Sequence, residues 1–324
     1  MAGPVYHRPY AGFGDIKLFA GTACPDLALK ISQHLGVPLS GRDISHFPND
    51  NLFVRLHNSV RGQDVYVIQT TSRPVHRNLM ELLIMMQTMR LDSAGRITAV
   101  VPYLCYARSD KTDKPRVPIT ARLVADMIEI AGADRYMTLD LHAGQIQGFF
   151  NIPVDNLFAT KVLLEYMKKT YQDNTVVVSP DTGGVERARA FGKRLGASLA
   201  IIDKRREGPN EAQVMNIIGN VEGKRVIILD DMIDTAGTVL QGVNALKEAG
   251  ALEVSVCCTH PVLSGPAIER IESAQIKEVL VTDTIPLSDI AAKCKKIKVL
   301  SVSGLLSEAV RRIYYNDSVS SLFI

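Results

Sequence analysis

Long apolar runs, paired cysteines and a strong charge of either sign are what this 324-residue sequence lacks. No apolar run approaches the roughly 18–20 residues of a membrane-spanning helix, so no membrane span is expected. The first residues hold proline, glycine and tyrosine but no apolar signal core, and secretion is not expected. The five cysteines, Cys24, Cys105, Cys257, Cys258 and Cys294, are an odd number without CxxC spacing. Most sit in apolar runs, which favours buried, reduced thiols in a cytoplasmic protein over a disulfide framework or a zinc site. No HxxxH spacing supports a transition-metal site. Neither GxGxxG nor GxxxxGK(S/T) occurs, which disfavours ordinary dinucleotide and P-loop nucleotide binding. The net charge of +3 is too small to imply nucleic acid, and it does not repel anionic substrates.

What is present is an ordinary globular composition, 46% hydrophobic and 22% charged, in a chain long enough for two domains. Short apolar runs read as strands at 16–20, 52–56, 64–70, 97–104, 135–141, 175–179, 199–203, 226–229, 253–259, 278–282 and 299–302. Between most of them lie helical patterns, among them 78–90, with Leu79, Leu82, Leu83, Met86 and Met89 on one face, and 120–131, with Thr120 as its expected cap. The methionines of the first read as core filler. This alternation predicts an α/β protein of two similar domains, each a mainly parallel sheet flanked by helices. No strict sequence repeat accompanies it. The expected divisions are a loose extension at 1–14, domains at 15–156 and 157–316, and a tail at 317–324 that packs at a domain or subunit interface.

In parallel sheets ligands bind beyond the carboxyl ends of strands, and five polar clusters fall at such ends. The fullest follows Val226-Ile-Ile-Leu229: Asp230-Asp231-Met-Ile-Asp234-Thr235-Ala236-Gly237-Thr238, then a helical run to Glu248. A strand, a tight loop and a helix N-terminus direct backbone N–H groups at phosphate. The paired acids suit sugar hydroxyls, so the stretch fits a phosphorylated ribose. Pro180-Asp181-Thr182-Gly183-Gly184 offers glycines for close approach of a diphosphate and a carboxylate for Mg²⁺. Alone, it also fits a plain glycine turn. Lys204 and Arg206 point to one side if extended, two cations for a transferring phosphoryl group, although a solvated basic turn fits equally. His142, just past a strand, faces the same crevice and suits a metal or phosphate contact. Residues 106–116 carry two arginines and two lysines, either a cationic lid or a solvated loop.

Together these motifs resemble class I phosphoribosyl diphosphate (PRPP) synthetases, the ribose-phosphate diphosphokinases, from about Ile16 to the end of the sequence. The resemblance is carried by Asn78-Leu-Met-Glu-Leu-Leu83, Tyr106-Ala-Arg108, His142 through Asn156, Ser179 through Gly184, Asp203-Lys204-Arg-Arg206, Asp230 through Thr238 and Ser318-Val-Ser-Ser-Leu-Phe323. It implies a phosphoribosyltransferase-like fold and Mg²⁺-dependent transfer of the diphosphoryl group of ATP to ribose 5-phosphate. Lys204 and Arg206 would be catalytic. Ribose 5-phosphate would meet Arg206, Asp230, Asp231, Asp234, Thr235, Ala236, Gly237 and Thr238. ATP would meet Phe47, Asn49, Asp50, Asn51, Arg108, Ser109, Asp113 and His142, and its diphosphate Asp181, Thr182, Gly183 and Gly184. His142 and Asp181 would serve the metal. Ser59, Arg61, Ser318, Ser320 and Phe323 match parts of the family's phosphate or ADP effector site. The resemblance also implies a homo-oligomer, dimers assembled into a hexamer. Many members carry glutamate where Asn51 stands and glutamine where Ser109 stands, and both departures fall at the nucleotide end. Two alternatives remain open at this point: a phosphoribosyltransferase that consumes PRPP, and a non-catalytic synthetase-like regulatory subunit.

Overall fold

Strands rich in β-branched residues and buried on both faces can pair only inside a sheet that helices cover on each side. A computed structural model describes residues 12–171, 173–205 and 214–323, in two units. The first begins β1 (Ile16–Ala20), α1 (Pro25–Leu35), β2 (Arg42–His46), β3 (Leu52–Leu56), β4 (Asp64–Ile68), α2 (Val75–Leu91), β5 (Arg96–Val100), α3 (Thr120–Ile130), β6 (Arg135–Leu139) and β7 (Val154–Leu157). Its sheet runs β1-β4-β5-β6-β7, with every pair parallel, while β2 and β3 form a separate antiparallel hairpin. The core joins Val65, Val67, Ile97 and Ala99 of the strands to Leu82, Met86 and Met89 of α2 and Val124 and Ile128 of α3. Each such side chain contributes roughly 1.5–3 kcal/mol relative to exposure.

The second unit, Ala159–Val302, continues with α4 (Thr160–Thr170), β8 (Thr175–Ser179), α5 (Val185–Leu195), β9 (Ser198–Arg205), β10 (Val214–Ile218), β11 (Arg225–Ile233), α6 (Gly237–Glu248), β12 (Glu253–Pro261), α7 (Ala267–Ser273), β13 (Val279–Thr282), α8 (Asp289–Lys293) and β14 (Ile297–Leu300). The sheet order is β10-β9-β8-β11-β12-β13-β14. Only the β9–β10 pair is antiparallel. The core gathers Val176, Val178, Ile228, Val254 and Val256 with Val243 and Leu246 of α6.

The last helix, α9 (Ser303–Tyr314), belongs with the first unit rather than the second. It packs on α1, and the Ser307 hydroxyl donates to the Ile31 carbonyl at 3.4 Å. A second domain extending through 316 is therefore not what the structure has. The expected loose extension falls mostly on 1–11, outside the described residues. Its inner end is tied down: the Gly14 N–H donates to the Gly62 carbonyl at 2.8 Å, and the Arg96 guanidinium lies 4.8 Å from the Phe13 ring centre. Two further expectations differ. The run from Ile97 leaves the sheet after Val100. Thr120 is the first residue of α3 rather than its cap. All five cysteines are buried free thiols.

Candidate active site

In the second unit β8 has β9 on one side and β11 on the other. The chain leaves β8 in one direction and returns in the other, and a crevice opens at such a reversal, outside the carboxyl ends of the strands. Residues 180–184 leave β8 and residues 234–236 leave β11, so the two loops flank this point. Lys204 lies at the end of β9, paired with Met215 of β10. Its side chain and all of Arg206 lie outside what the structure describes.

The 180–184 loop is built on its own polar groups. The Ser179 hydroxyl donates to the Asp181 carbonyl at 2.7 Å, and the Gly184 N–H donates to Asp181 Oδ1 at 3.0 Å. A Cβ on Gly184 would stand 2.9 Å from Ser179 Oγ, so a side chain there would displace the hydroxyl that braces the loop. Asp181, Thr182 and Gly183 are exposed.

The strand β11 does not stop at the paired acids. Its pairing with β12 continues through Asp230 opposite Cys258 and Met232 opposite His260 to Ile233 opposite Pro261. The two carboxyl side chains lie close enough to act on each other. Asp231 is buried and pairs with Arg187 of α5 at 3.3 Å. Its N–H donates to Asp230 Oδ1 at 2.8 Å. Burial, and then the neighbouring Asp231 carboxylate, push the Asp230 carboxyl well above the usual carboxylate range. The loop that follows turns left-handed at Ala236, with φ +56°, and feeds α6. Thr235 and Thr238 are exposed at this helix start. Asp234 accepts from the Ser264 hydroxyl, and the Thr235 carbonyl accepts from Arg270 Nη1 at 2.8 Å.

In the first unit the β2–β3 turn carries Phe47, Asn49, Asp50 and Asn51, all exposed. The Phe47 N–H donates to the Asn51 carbonyl at 2.9 Å, and Asp50 turns left-handed at φ +64°. A cavity of about 960 Å³ beside this turn is lined by His46, Asp50, Asn51, His76, Arg77 and Tyr106, over an apolar floor. Arg108 and Asp113 are exposed on the segment after β5, and His142 is exposed after β6, the adjacent strand. These two segments are joined by Gln145 Nε2, which donates to Asp110 Oδ2 at 2.8 Å. The Ser109 hydroxyl is engaged at the start of α3: it accepts from the Thr120 N–H and donates to the Pro118 carbonyl, both at 3.2 Å. Ser59 Oγ donates to Asp92 at 3.2 Å, and Arg61 is exposed. The Ser318 carbonyl accepts from Arg312, Ser318 Oγ accepts from the Ser320 N–H, and the Phe323 ring meets Phe158 edge-on.

Sequence reasoning missed Arg187, Ser264 and Arg270. Arg187 lies on the helix directly after the glycine loop, a position from which a cation can reach a neighbouring strand end. Ser264 and Arg270 sit beyond β12, and no local pattern ties them to β11.

Two family descriptions match the chain: the N-terminal domain of ribose phosphate pyrophosphokinase over residues 16–132, and the phosphoribosyl synthetase-associated domain over residues 206–324. The ribose-phosphate pyrophosphokinase of Campylobacter jejuni subsp. jejuni is 52% identical over 308 residues, 95% of this chain and 99% of that protein. The chain belongs to the ribose-phosphate pyrophosphokinase family. Another member, from Caldanaerobacter subterraneus subsp. tengcongensis, is 54% identical over 310 residues, 95% of this chain and 98% of the relative. The crystal structure of phosphoribosylpyrophosphate synthetase from Mycobacterium smegmatis aligns with a TM-score of 0.89 at 43% identity, covering 94% of this chain and all of that one. The fold of the ribose-phosphate pyrophosphokinases is thus the fold of this chain.

Proposed function

We propose that this chain transfers the diphosphoryl group of ATP as a unit to the 1-hydroxyl of ribose 5-phosphate, giving PRPP and AMP for nucleotide biosynthesis, with Mg²⁺ as its metal. Family membership supports the reaction. The observation that carries the site is the adjacency of β9, β8 and β11. Lys204 at the end of β9 and the loops after β8 and β11 lie at the carboxyl ends of three neighbouring parallel strands of one sheet.

In this reading the 5-phosphate takes the N–H groups at the start of α6, with Thr235, Ala236, Gly237 and Thr238 around it. Asp230 and Asp234 hold ribose hydroxyls. A carboxyl whose pKa is raised, as burial and Asp231 raise that of Asp230, can both donate and accept. Asp231 acts through Arg187, which bridges from α5. The 1-hydroxyl oxygen attacks the β-phosphorus in line. The bond from that phosphorus to the α,β-bridging oxygen breaks, AMP departs with the electron pair, and the hydroxyl proton is released. Lys204 and Arg206 supply positive charge where the transferring group gains negative charge. Arg108, Asp113, His142 and the 47–51 turn hold the nucleotide, with Ser109 bracing the segment behind Arg108.

Among the described residues no three acidic, histidine or cysteine side chains cluster as a metal cage. Mg²⁺ keeps several waters and takes one or two protein carboxylates together with substrate phosphates, and the exposed Asp181 carboxylate suits it. Asp181 would hold it, and when bound it would neutralise phosphate charge. The same reading includes a cytoplasmic homo-oligomer of dimers in a hexamer, and phosphate or ADP as effectors at Ser59, Arg61, Ser318, Ser320 and Phe323. No described helix is long and apolar enough to cross a membrane.

Incubation of the full chain with Mg²⁺-ATP, with and without ribose 5-phosphate, tests the reaction. AMP that appears only with the sugar supports it. PRPP consumed only on addition of a nucleobase would make the chain a transferase, and silence in both assays a regulatory subunit. Lys204→Ala is expected to lower kcat roughly 10²–10³-fold while KM for ribose 5-phosphate stays within about twofold, because the charge acts in the transition state. Steady-state kinetics reads this directly, and a raised KM with unchanged kcat would remove the role given to Lys204.

A further inference from the structure

Ala236 holds a backbone conformation that costs an L-residue roughly 1–2 kcal/mol, so something outside the loop must impose it. The segment after β12 does so. Its Leu263 and Ser264 N–H groups donate to the carbonyls of Ile233 and Asp234 at 2.9 and 3.0 Å, extending the β11–β12 pairing beyond both strands. The Ser264 hydroxyl holds the Asp234 carboxylate. Then α7 delivers Arg270, whose Nη1 donates to the Thr235 carbonyl. A Cβ on Gly237 would stand 3.2 Å from the same Nη1, so the guanidinium lies against the first turn of α6.

The consequence is geometric. In a trans peptide the C=O and the following N–H point in opposite directions. A Thr235 carbonyl drawn toward Arg270 therefore turns the Ala236 N–H away from it. We propose that Arg270 is a positioning residue for sugar-phosphate binding: by anchoring the Thr235 carbonyl it aims the Ala236 N–H at the anion. Ser264 plays the matching part for the Asp234 carboxylate. This rests on the reading that residues 234–238 bind the 5-phosphate end of the sugar.

The test is steady-state kinetics on the full chain with Arg270→Ala, Arg270→Lys and, as the control for the loop itself, Asp234→Asn, each with a thermal melt. Loss of one charge-assisted anchor predicts a KM for ribose 5-phosphate raised about tenfold in Arg270→Ala. The ATP KM, kcat and Tm should hardly change. Arg270→Lys keeps a donor and should recover most of the loss. If Asp234→Asn raises the sugar KM and Arg270→Ala leaves it unchanged, the positioning role is wrong and the loop assignment stands. If neither variant moves it, the loop assignment fails and takes the positioning role with it. If Arg270→Ala lowers Tm and shifts both KM values and kcat together, Arg270 is only a structural tie, and the proposal is overturned.

Discussion

Asp230 shows how a residue's chemistry can depart from what its letter suggests. The strand continues past it, so Asp230 meets burial and a second carboxylate at once, and its folded pKa rises. A carboxyl that holds its proton more tightly folded than unfolded loses stability for the fold as pH rises between its unfolded and folded pKa values. Asp230→Asn abolishes that penalty. The variant should therefore melt close to the native protein at pH 4 and above it at pH 8, while losing affinity for ribose 5-phosphate. Calorimetric scans across this range check the sign: a Tm difference that shrinks with rising pH would contradict it. The acid pair and its three-dimensional neighbourhood were unequally legible. Asp-Asp-x-x-Asp-Thr-x-Gly-Thr marked the stretch, but the partners that hold it, Arg187, Ser264 and Arg270, come from other elements, and nothing near them in sequence says what they will touch.

At the scale of elements, most strands and helices followed from apolar periodicity, and the exceptions have causes. The strand β2 reads Arg-Asp-Ile-Ser-His, with a single apolar residue, because the β2–β3 hairpin is half exposed. Its hidden signal is a cross-strand charge pair, Asp43 with Arg55 at 2.6 Å. The strand β10 is an antiparallel edge, which the β-α rhythm does not announce. Ser109 is the instructive element boundary. A helix leaves its first N–H groups unpaired, and here a serine eleven positions before Thr120 satisfies one of them. Ser109→Ala should cost about 1 kcal/mol, the usual value of such a cap. It should also raise KM for ATP more than KM for the sugar, since the segment carrying Arg108 loses its far anchor. Urea unfolding and a pair of substrate titrations measure both. A neutral substitution would show that the hydroxyl does no capping.

For the whole molecule, the α/β class and the pair of sheets were readable because alternating strands and helices admit little else. The return of α9 to the first unit was not, since an amphipathic helix at the end of a chain carries no mark of which core it covers. The account as a whole depends on loops from neighbouring strands in Ala159–Val302 making a sugar-phosphate site. Calorimetric titration of the full chain with ribose 5-phosphate, with Mg²⁺ and α,β-methylene ATP present to prevent turnover, measures that claim. Saturable binding in the native chain, weakened about tenfold or more in Asp234→Asn, is the predicted result. Equal affinity in the two proteins would contradict it.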